Sequence, residues 1–488
     1  MGLSDSQIRD NPWWRHADAV REDADLRRFD AAPLRFEHPV PFDLTTDAVY
    51  TLRGPRQVGK STLLKRIARM LLLERHTAPR DVFYFDVEGA GIHTVLRLQN
   101  AVLAFLEWSR SANPGTRKYL LLDEVTGVQD WGAFVRVLYR QGALDGVTAI
   151  VTGSHALDVK RGGETAPGRR GERGGVHLDW ILMPLSFRDY VATHDPATAA
   201  RIPAIDVFDP ARAYEAAAEA ALYGDEISAL FDRYLLTGGY PHAMAAEHAE
   251  GRIPAIVYTL YRQAITGQMK RAGQREALFR ELVSWVTDGH LGREFSWRDV
   301  SADTDIGSKE TARTYVEDAE AMFLWHVYYR AQGATELAVA SRSPKKLYAA
   351  DPFAWHVLSS WAAGARDPWE RSLARIADGT HRGELVESVA GDHFKRGLGA
   401  FALYHRAPQG QEEIDFVLHR DSAQARIESK FRRRVVPRDA RWLARYGGGI
   451  LATISDLEWN EQQRVASIPL PILLAGYADP VTLFPEAD

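Results

Sequence analysis

The sequence predicts an α/β fold built on a parallel β-sheet. Short, largely apolar runs at residues 49–52, 82–85, 119–122 and 147–151 alternate with helical patterns. Continuous apolar strands separated by helices are typical of a parallel sheet that is covered on both faces. The first run is followed directly by a glycine-rich stretch, Gly54-Pro55-Arg56-Gln57-Val58-Gly59-Lys60-Ser61-Thr62, and then by a helical pattern.

Composition excludes several classes of protein. The chain has 488 residues, no cysteine and a formal net charge of −5. Without cysteine there is no disulfide framework, no thiolate metal site and no cysteine nucleophile. No secretory signal and no membrane span is visible, so we expect a cytoplasmic protein without a membrane partner. The negative net charge argues against a uniformly basic nucleic-acid-binding surface.

The order of the patterns predicts five segments along the chain. They are an N-terminal segment that packs on the following core (1–46), the parallel-sheet core (47–200), a helical segment (201–290), a helix-turn-helix (291–342) and a second α/β domain (343–488). In the fourth segment, a turn at 303–307 precedes a helix with one apolar face, and the strand-like run 324–329 suits a wing. A helix-turn-helix is as often a packing module as a DNA reader.

The glycine-rich stretch fits the phosphate-binding pattern G-x-x-x-x-G-K-[ST]. Gly54 and Gly59 let the backbone curl so that its N–H groups point at phosphate oxygens, and the following helix adds its positive dipole end. We therefore expect residues 54–62 to contact ATP. Lys60 would reach the β- and γ-phosphates, and the Ser61 hydroxyl would ligate Mg²⁺. The alternative is an ordinary glycine-rich turn.

Two carboxylates follow the third apolar run. Asp123 would hold the Mg²⁺ shell, and Glu124 would polarise a water for attack on the γ-phosphate. A helix cap is the usual alternative for such a pair. The next strand ends in Gly153-Ser154-His155, where a polar side chain could sense the γ-phosphate.

A glycine- and arginine-rich loop occupies residues 156–180. Arg169 and Arg170, with Arg173, could stabilise charge on the transferring phosphoryl group, within one subunit or between subunits of a homo-oligomer. A solvated basic loop is the alternative, since surface arginine is common.

The C-terminal segment contains a second set of charged residues. Residues 413–418 and 426–431 alternate polar and apolar, as two half-buried strands should. A hairpin symmetric about Asp421 and Ser422 places Asp415 opposite Glu428, and Lys430 shares their face. Such a group suits a metal-dependent phosphodiesterase: the carboxylates would bind Mg²⁺, and Lys430 would position the attacking water. Glu387, on an expected helix, could complete the metal site.

The same segment is locally basic. Its cations outnumber Glu428 and Asp439 and suit a phosphate backbone, although a solvated charge run is the usual interpretation; they are Arg426, Lys430, Arg432, Arg433, Arg434, Arg438, Arg441 and Arg445. Nucleic acid, DNA first, is therefore an expected partner.

Several motifs together resemble one protein family. They are the phosphate-binding stretch 54–62, Leu-Leu-Asp-Glu at 121–124, Thr-Gly-Ser at 152–154, Met-Pro-Leu-Ser-Phe-Arg-Asp-Tyr at 183–190, Leu-Thr-Gly-Gly-Tyr-Pro at 236–241 and Pro-Lys-Lys-Leu-Tyr-Ala-Ala-Asp at 344–351. The chain resembles prokaryotic AAA+-superfamily ATPases with a C-terminal domain like a restriction nuclease.

The resemblance implies an AAA+ core, a helical lid, a winged helix and a PD-(D/E)XK nuclease-like domain. It implies that Asp123 and Glu124 are the Mg²⁺-associated and catalytic carboxylates. It also places Glu387, Asp415, Glu428 and Lys430 on the nuclease motif positions. His155 stands where the family usually has a small polar residue, which leaves Ser154 as the better sensor candidate.

Three functions fit this sequence. The first is a Mg²⁺-dependent ATPase that controls a DNA-directed C-terminal domain, with nuclease cleavage as its activity. The second is an ATP-dependent switch that binds DNA or protein without cutting. The third is a nucleotide-stabilised scaffold with slow turnover, against which Glu124 counts because a scaffold has no chemical need for that carboxylate.

Overall fold

The computed structural model describes most of the chain, namely residues 3–153, 177–333, 336–340, 342–407, 412–430, 436–478 and 482–485. The chain divides into two units, Met1–Met183 and Pro184–Asp488. None of the described helices combines the length and the apolar character that a transmembrane span requires.

The first unit contains a parallel sheet flanked by helices. Its described strands are β1 (Ala48–Arg53), β2 (Val82–Asp86), β3 (Lys118–Asp123), β4 (Val147–Thr152) and β5 (Asp179–Leu182). Its described α-helices are α1 (Asp5–Asp10), α2 (Ala24–Ala31), α3 (Lys60–Leu73), α4 (Val95–Ala112) and α5 (Trp131–Arg140). These strands run in the order β5-β1-β4-β3-β2, and every pairing among them is parallel.

The apolar content of the strands accounts for this sheet. All four predicted runs form strands, and the residues of β1 and β4 are buried along their whole length. Phe83 on β2 and Leu120 on β3 belong to one buried cluster with Phe105 of α4 and Phe134 of α5. Parallel strands end at the same edge of a sheet, so the residues that follow β1, β3 and β4 lie at one edge. Strand β4 lies between the other two.

The N-terminal residues contact the same sheet. Both Trp13 and Trp14 donate indole N–H hydrogen bonds to the carbonyl of Val82, at 3.1 and 3.0 Å. The Trp14 ring stacks on Phe83 and Phe105 with centroids 5.9 Å apart in each pair. Aromatic packing and hydrogen bonds therefore hold this segment beside β2.

The second unit begins with a long helical region. Its described α-helices are α6 (Phe187–His194), α7 (Pro196–Ala199), α8 (Pro210–Ala220), α9 (Gly224–Thr237), α10 (Pro241–Glu250), α11 (Ala255–Arg271), α12 (Glu276–Thr287), α13 (Trp297–Asp303), α14 (Lys309–Ala321), α15 (Pro352–Ala362), α16 (Pro368–Ala377), α17 (Gly379–Lys395), α18 (Arg441–Arg445) and α19 (Leu470–Gly476).

Its described strands form a hairpin, a mixed sheet and a short terminal strand. They are β6 (Trp325–Tyr329), β7 (Lys345–Ala349), β8 (Ala402–Arg406), β9 (Glu413–Arg420), β10 (Ala423–Ser429), β11 (Gly449–Thr453), β12 (Glu458–Asn460), β13 (Val465–Pro469) and β14 (Leu483–Pro485). The mixed sheet has the order β12-β13-β11-β10-β9-β8. Ile414, Val417, Leu451 and Val465 form part of its buried core.

Helices α13 and α14 follow one another in the segment predicted to be a helix-turn-helix, and Ala312, Tyr315, Val316 and Ala319 of α14 are buried. Strand β6 then pairs antiparallel with β7, and Tyr328 lies opposite Lys346. The segment 330–344 joins these two strands, and the predicted division at 342–343 falls within it. The β6–β7 hairpin brings Lys346 and Tyr348 to a common face, because alternate residues of a strand point the same way.

The predicted C-terminal hairpin is confirmed in its register. Arg420 pairs with Ala423, and Phe416 pairs with Ile427. The turn is the two-residue Asp421-Ser422, and Asp421 has φ of 54°. Asp readily takes such a left-handed conformation, and two-residue turns of this kind fix hairpin register.

The segment that opens the second unit is held by hydrogen bonds within that unit. Leu185 N–H donates to the Gly239 carbonyl at 3.0 Å. Arg396 donates to the Pro184 carbonyl at 2.7 Å, and Phe187 N–H donates to His393 Nε2 at 2.8 Å. The Pro-Leu-Ser-Phe motif therefore has a structural role in this fold.

Candidate functional sites

The loop between β1 and α3 has the backbone of a phosphate cradle. Gly54, Gln57 and Gly59 have φ of 154°, 65° and 106°. A Cβ atom at position 54 would lie 2.0 Å from the Leu182 carbonyl oxygen, so only glycine fits there. Gly59 takes the N-cap position of α3, where no described side chain caps the helix. The first amides of α3 are therefore left for an anion, as in other helix N-termini that bind phosphate.

Lys60 is buried at the start of α3. Its ammonium group donates to the carbonyl oxygens of Gly54 and Pro55, at 2.9 and 2.8 Å. Burial lowers the pKa of Lys60, whereas Glu124 and Asp123 act in the opposite direction. The lysine thus lies against the cradle, held by neutral carbonyls, from which an arriving phosphate could draw it at modest cost.

Asp123 ends β3 and is buried among hydroxyl groups. Its carboxylate accepts hydrogen bonds from Tyr84, at 2.8 Å, and from Thr152 and Ser61. Burial, and then the charge of Glu124, raise the pKa of Asp123, and the hydroxyl donors only partly offset this. Because β4 lies between β1 and β3, Thr152 stands between the cradle and Asp123.

Glu124 follows in a left-handed conformation, with φ of 51° and ψ of 52°. Such a conformation is uncommon for a residue with a Cβ, and it is found preferentially at functional positions. Its N–H donates to the Thr152 hydroxyl at 3.3 Å. Glu124 lines a cavity of about 400 Å³ together with Ser61, Asp123 and residues of the N-terminal segment such as Asp10 and Asp23.

These residues fit a nucleotide with Mg²⁺. Magnesium in such sites keeps several waters and takes one or two protein oxygens beside the phosphates. Ser61 and Asp123 are already joined by a hydrogen bond at the cradle, so one hydroxyl and one carboxylate are available together. Residues 54–62, Asp123 and Glu124 thus form one site in the first unit.

The predicted sensor and arginine candidates follow β4 in the sequence. Ser154, Arg169 and Arg170 fall outside the described residues. Sequence reasoning missed Tyr84 and Thr152, which hold Asp123. Thr152 had a signal, since it ends an apolar strand next to the predicted sensor, whereas Tyr84 had none, because its role depends on β2 lying beside β3.

The second unit brings together Glu387, Asp415, Glu428 and Lys430. Asp415 N–H donates to Glu428 Oε2 at 3.2 Å, and Ser429 N–H donates to Asp415 Oδ2 at 3.0 Å. The Lys430 ammonium donates to Glu428 Oε1. Glu387 comes from α17, where the Tyr348 hydroxyl donates to its Oε1 at 2.8 Å. We call these four residues with Glu413 and Lys346 the charge cluster.

Sequence reasoning missed two members of the charge cluster, Glu413 and Lys346, of which Lys346 is the cation. It is 3% exposed, and its ammonium lies 3.0 Å from Asp415 Oδ1 and 2.9 Å from Glu413 Oε1. Glu387 Oε1 is 3.7 Å away. Position 346 belongs to β7, far along the chain from the hairpin motif, so only the packing of β7 against α17 and β9 brings it here.

The two lysines set the electrostatics of the charge cluster. Burial would raise the pKa of Asp415, but Lys346 and then Lys430 hold it below its ordinary value. Burial, and then Asp415, raise the pKa of Glu387 to about 7 and that of Glu428 to about 8. Within the described part of the chain, no group of three or more His, Asp or Glu side chains has the arrangement of a metal site. The expected Mg²⁺ ligands are thus together, but Lys346 lies among them.

Two parts of the sequence match family models. Residues 46–191 match an AAA domain. Residues 228–364 match a domain of unknown function, DUF8612. No curated protein matches the chain significantly.

Solved structures give weaker likenesses. A Walker-type ATPase of Pyrococcus abyssi has a TM-score of 0.37 and 14% identity, over 64% of this chain and 90% of that chain. The Orc1 protein of Aeropyrum pernix in complex with DNA has a TM-score of 0.28 and 17% identity, over 74% and 97%. The RuvB Holliday junction branch migration motor of Thermotoga maritima has a TM-score of 0.24 and 14% identity, over 68% and 90%. TM-scores below 0.5 carry no function over to this chain.

The phosphate cradle, the carboxylates that end β3 and the family match over residues 46–191 agree with one another. The chain therefore carries an AAA domain of the P-loop ATPase type.

Proposed function

We propose that the protein binds ATP with Mg²⁺ in its first unit and hydrolyses it, as an ATP-dependent switch. One observation carries this proposal: the N-terminus of α3, which no described side chain caps, lies with its positive-φ loop in the same site as Asp123 and Glu124. A phosphate needs the first feature, and its transfer to water needs the second.

Each residue has a definite part in this reaction. Backbone N–H groups of the loop 54–62, except at Pro55, which has none, bind the phosphates, and Lys60 moves from its carbonyl partners to the phosphate oxygens. Ser61 and Asp123 hold the Mg²⁺, which offsets negative charge on the phosphates when it is bound. Glu124 accepts a hydrogen bond from the attacking water, and Thr152 fixes the backbone of Glu124.

Two substitutions test this proposal. Glu124→Gln should retain ATP binding and slow hydrolysis by about 10²–10⁴, which is the usual contribution of a positioned base. Lys60→Ala should weaken ATP binding by about 10–100-fold, because hydrogen bonds between charged groups are lost. Glu107→Gln, which makes the same chemical change at an exposed position of α4, is the matched control. Near-normal turnover by Glu124→Gln would remove Glu124 from the mechanism.

A second candidate is nuclease cleavage of DNA by the second unit. The convergence of Asp415, Glu428 and Lys430 on one hairpin favours it, as does the excess of basic residues between 426 and 445. Incubation with DNA and RNA, with and without ATP and Mg²⁺, tests it, with Asp415→Ala as the inactive comparison. Cleavage that Asp415→Ala abolishes, while ATPase activity persists, would establish this activity.

The charges of the helix-turn-helix favour a role in protein binding over recognition of DNA. Its second helix, α14, has only Lys309 and Arg313 as cations, and they pair with Glu310 at 3.6 Å and with Glu317 at 2.7 Å. Asp318 and Glu320 add further negative charge to this helix. A phosphate backbone would be repelled by this helix, so a protein partner suits it better. A salt titration of DNA binding tests this, since binding through α14 would require a steep salt dependence that Arg313→Ala reduces.

A further inference from the structure

The charge cluster contains a buried cation of its own, the ammonium group of Lys346. Lys346 lies in contact with oxygens of Asp415 and Glu413 and near Glu387, which are oxygens that a metal ion in this cluster would use. The side chain is 3% exposed, so water contributes little to the solvation of its charge. These carboxylates therefore replace water in stabilising the positive charge of Lys346.

The oxygens of the two hairpin carboxylates are each engaged by a donor. Asp415 Oδ1 accepts from Lys346, and Asp415 Oδ2 accepts from Ser429 N–H. Glu428 Oε2 accepts from Asp415 N–H, and Glu428 Oε1 accepts from Lys430. A metal that bound Asp415 Oδ1 would lie about 2.0–2.1 Å from that oxygen. It would then share one oxygen with an ammonium group 3.0 Å from that oxygen.

Two cations so close together repel strongly. This repulsion grows as the separation and the local dielectric constant fall, and a divalent ion doubles it relative to a monovalent ion. Lys346 is held in place by its strand, because β7 pairs with β6 along its whole length, and its ammonium group lies 5.5 Å from the centroid of the Tyr404 ring. Metal and lysine are therefore alternative occupants of one position.

We propose that Lys346 is the resident counter-cation of the charge cluster and takes the place of a divalent metal ion there. The cluster is metal-free while β7 is in place, and phosphodiester cleavage by a bound metal would require Lys346 to leave. This inference concerns the second unit alone and does not depend on ATP hydrolysis by the first.

A titration with Mn²⁺, with free ion followed by electron paramagnetic resonance, tests the inference on the full-length chain without nucleotide. The wild type and Asp415→Asn should bind the same number of ions, because the cluster takes none. Lys346→Met keeps the length of the side chain but removes its charge. This variant should bind one Mn²⁺ ion more than the wild type, and the charge cluster should bind that ion at least tenfold more tightly than it does in the wild type. The double variant with Asp415→Asn should lose that ion again.

Lys346→Arg is the matched control, since it keeps the positive charge and should gain no ion. If Lys346→Met folds poorly without metal, its melting temperature should rise on addition of Mn²⁺, and that of the wild type should not. The inference is overturned if Asp415→Asn binds one ion fewer than the wild type, whatever Lys346→Met does. It is equally overturned if Lys346→Met, folded, gains no ion.

Discussion

Asp123 in the first unit and Asp415 in the second are both buried strand aspartates near a lysine, yet their surroundings differ in kind. Asp123 is hydrogen-bonded by the hydroxyls of Tyr84, Thr152 and Ser61, and its pKa is raised, first of all by burial. Asp415 is bound by the ammonium of Lys346 and by a backbone N–H, and its pKa is lowered in spite of burial.

The difference shows how each site can be used. Hydroxyl donors can turn and accept, so the carboxylate that they hold is free to exchange partners when a charged ligand arrives. An ammonium or a backbone N–H cannot accept, so the carboxylate that it holds is committed to its present partner. Under the proposed function the first site receives an ion, whereas the charge cluster keeps the ammonium group of Lys346 as its cation.

The largest effect is expected on stability. Asp415→Asn should lower the free energy of unfolding of the second unit by about 3–5 kcal/mol, because the amide turns an N–H group toward donors and leaves Lys346 undercompensated. Asp123→Asn should leave the stability of the first unit unchanged or raise it by about 1 kcal/mol, since a desolvated charge is removed.

Hydrogen exchange measured on peptides from β3 and β9 reports the stability of the first unit and of the second unit separately. Asp421→Asn, in the hairpin turn, is the control for the second unit, because Asn also adopts the left-handed conformation of Asp421. Equal destabilisation by Asp123→Asn and Asp415→Asn would mean that the two carboxylates are equally committed to their partners.

A smaller effect is expected on catalysis. Thr152→Val keeps the shape of the side chain but removes the hydroxyl that donates to Asp123 and accepts from Glu124 N–H. ATP turnover should fall about tenfold, which corresponds to one positioned hydrogen bond, while ATP affinity stays within about threefold. Steady-state ATPase kinetics measure both quantities.

Thr148 on the same strand provides the control. Its hydroxyl donates to the Thr46 carbonyl at 2.6 Å, at the end of β4 remote from the cradle. Thr148→Val should therefore leave turnover unchanged. A similar loss from both valine substitutions would point to the strand rather than to the Thr152 hydroxyl.

The smallest expected effect is on the pH dependence of stability. Asp351, the N-cap of α15, accepts from Gly239 N–H at 2.8 Å and Ala354 N–H at 3.0 Å, and burial raises its pKa to about 7. The native chain then holds this proton more tightly than the unfolded chain does. The resulting stabilisation is complete at low pH and is lost as the pH rises through 7.

Wild type should therefore lose about 1 kcal/mol more stability than Asp351→Asn between pH 6 and pH 8. Chemical denaturation at the two pH values measures the difference. Asp367→Asn, at the N-cap of α16, should show no such change, because backbone hydrogen bonds keep the pKa of Asp367 below its ordinary value. If wild type and Asp351→Asn lose the same stability between the two pH values, Asp351 is ionised throughout this range.

Local sequence predicted the features that depend on neighbouring residues. The phosphate cradle is one uninterrupted stretch, and its glycines are needed for its own backbone angles. The register of the C-terminal hairpin follows from a two-residue turn and the alternation of its strands. The parallel sheet follows from apolar runs long enough for a strand and too short for a helix pattern.

Contacts between distant segments required the structure. Tyr84 meets Asp123 only because β2 lies beside β3, and Thr152 meets both carboxylates only because β4 lies between β1 and β3. Lys346 meets Asp415 across 69 positions of sequence. Nothing in the neighbourhood of Lys346 in the sequence distinguishes it from Lys345, which differs only by the face of β7 that it occupies.

The sequence by itself thus determined the nucleotide cradle, the carboxylates at the end of β3 and the facing of Asp415 and Glu428, because turn geometry and strand alternation act over a few residues. The tertiary structure alone decided which donors surround each carboxylate. That choice separates an exchangeable site from a self-neutralised one, since the energy of a buried charge depends on whichever dipoles and ions the fold brings to it.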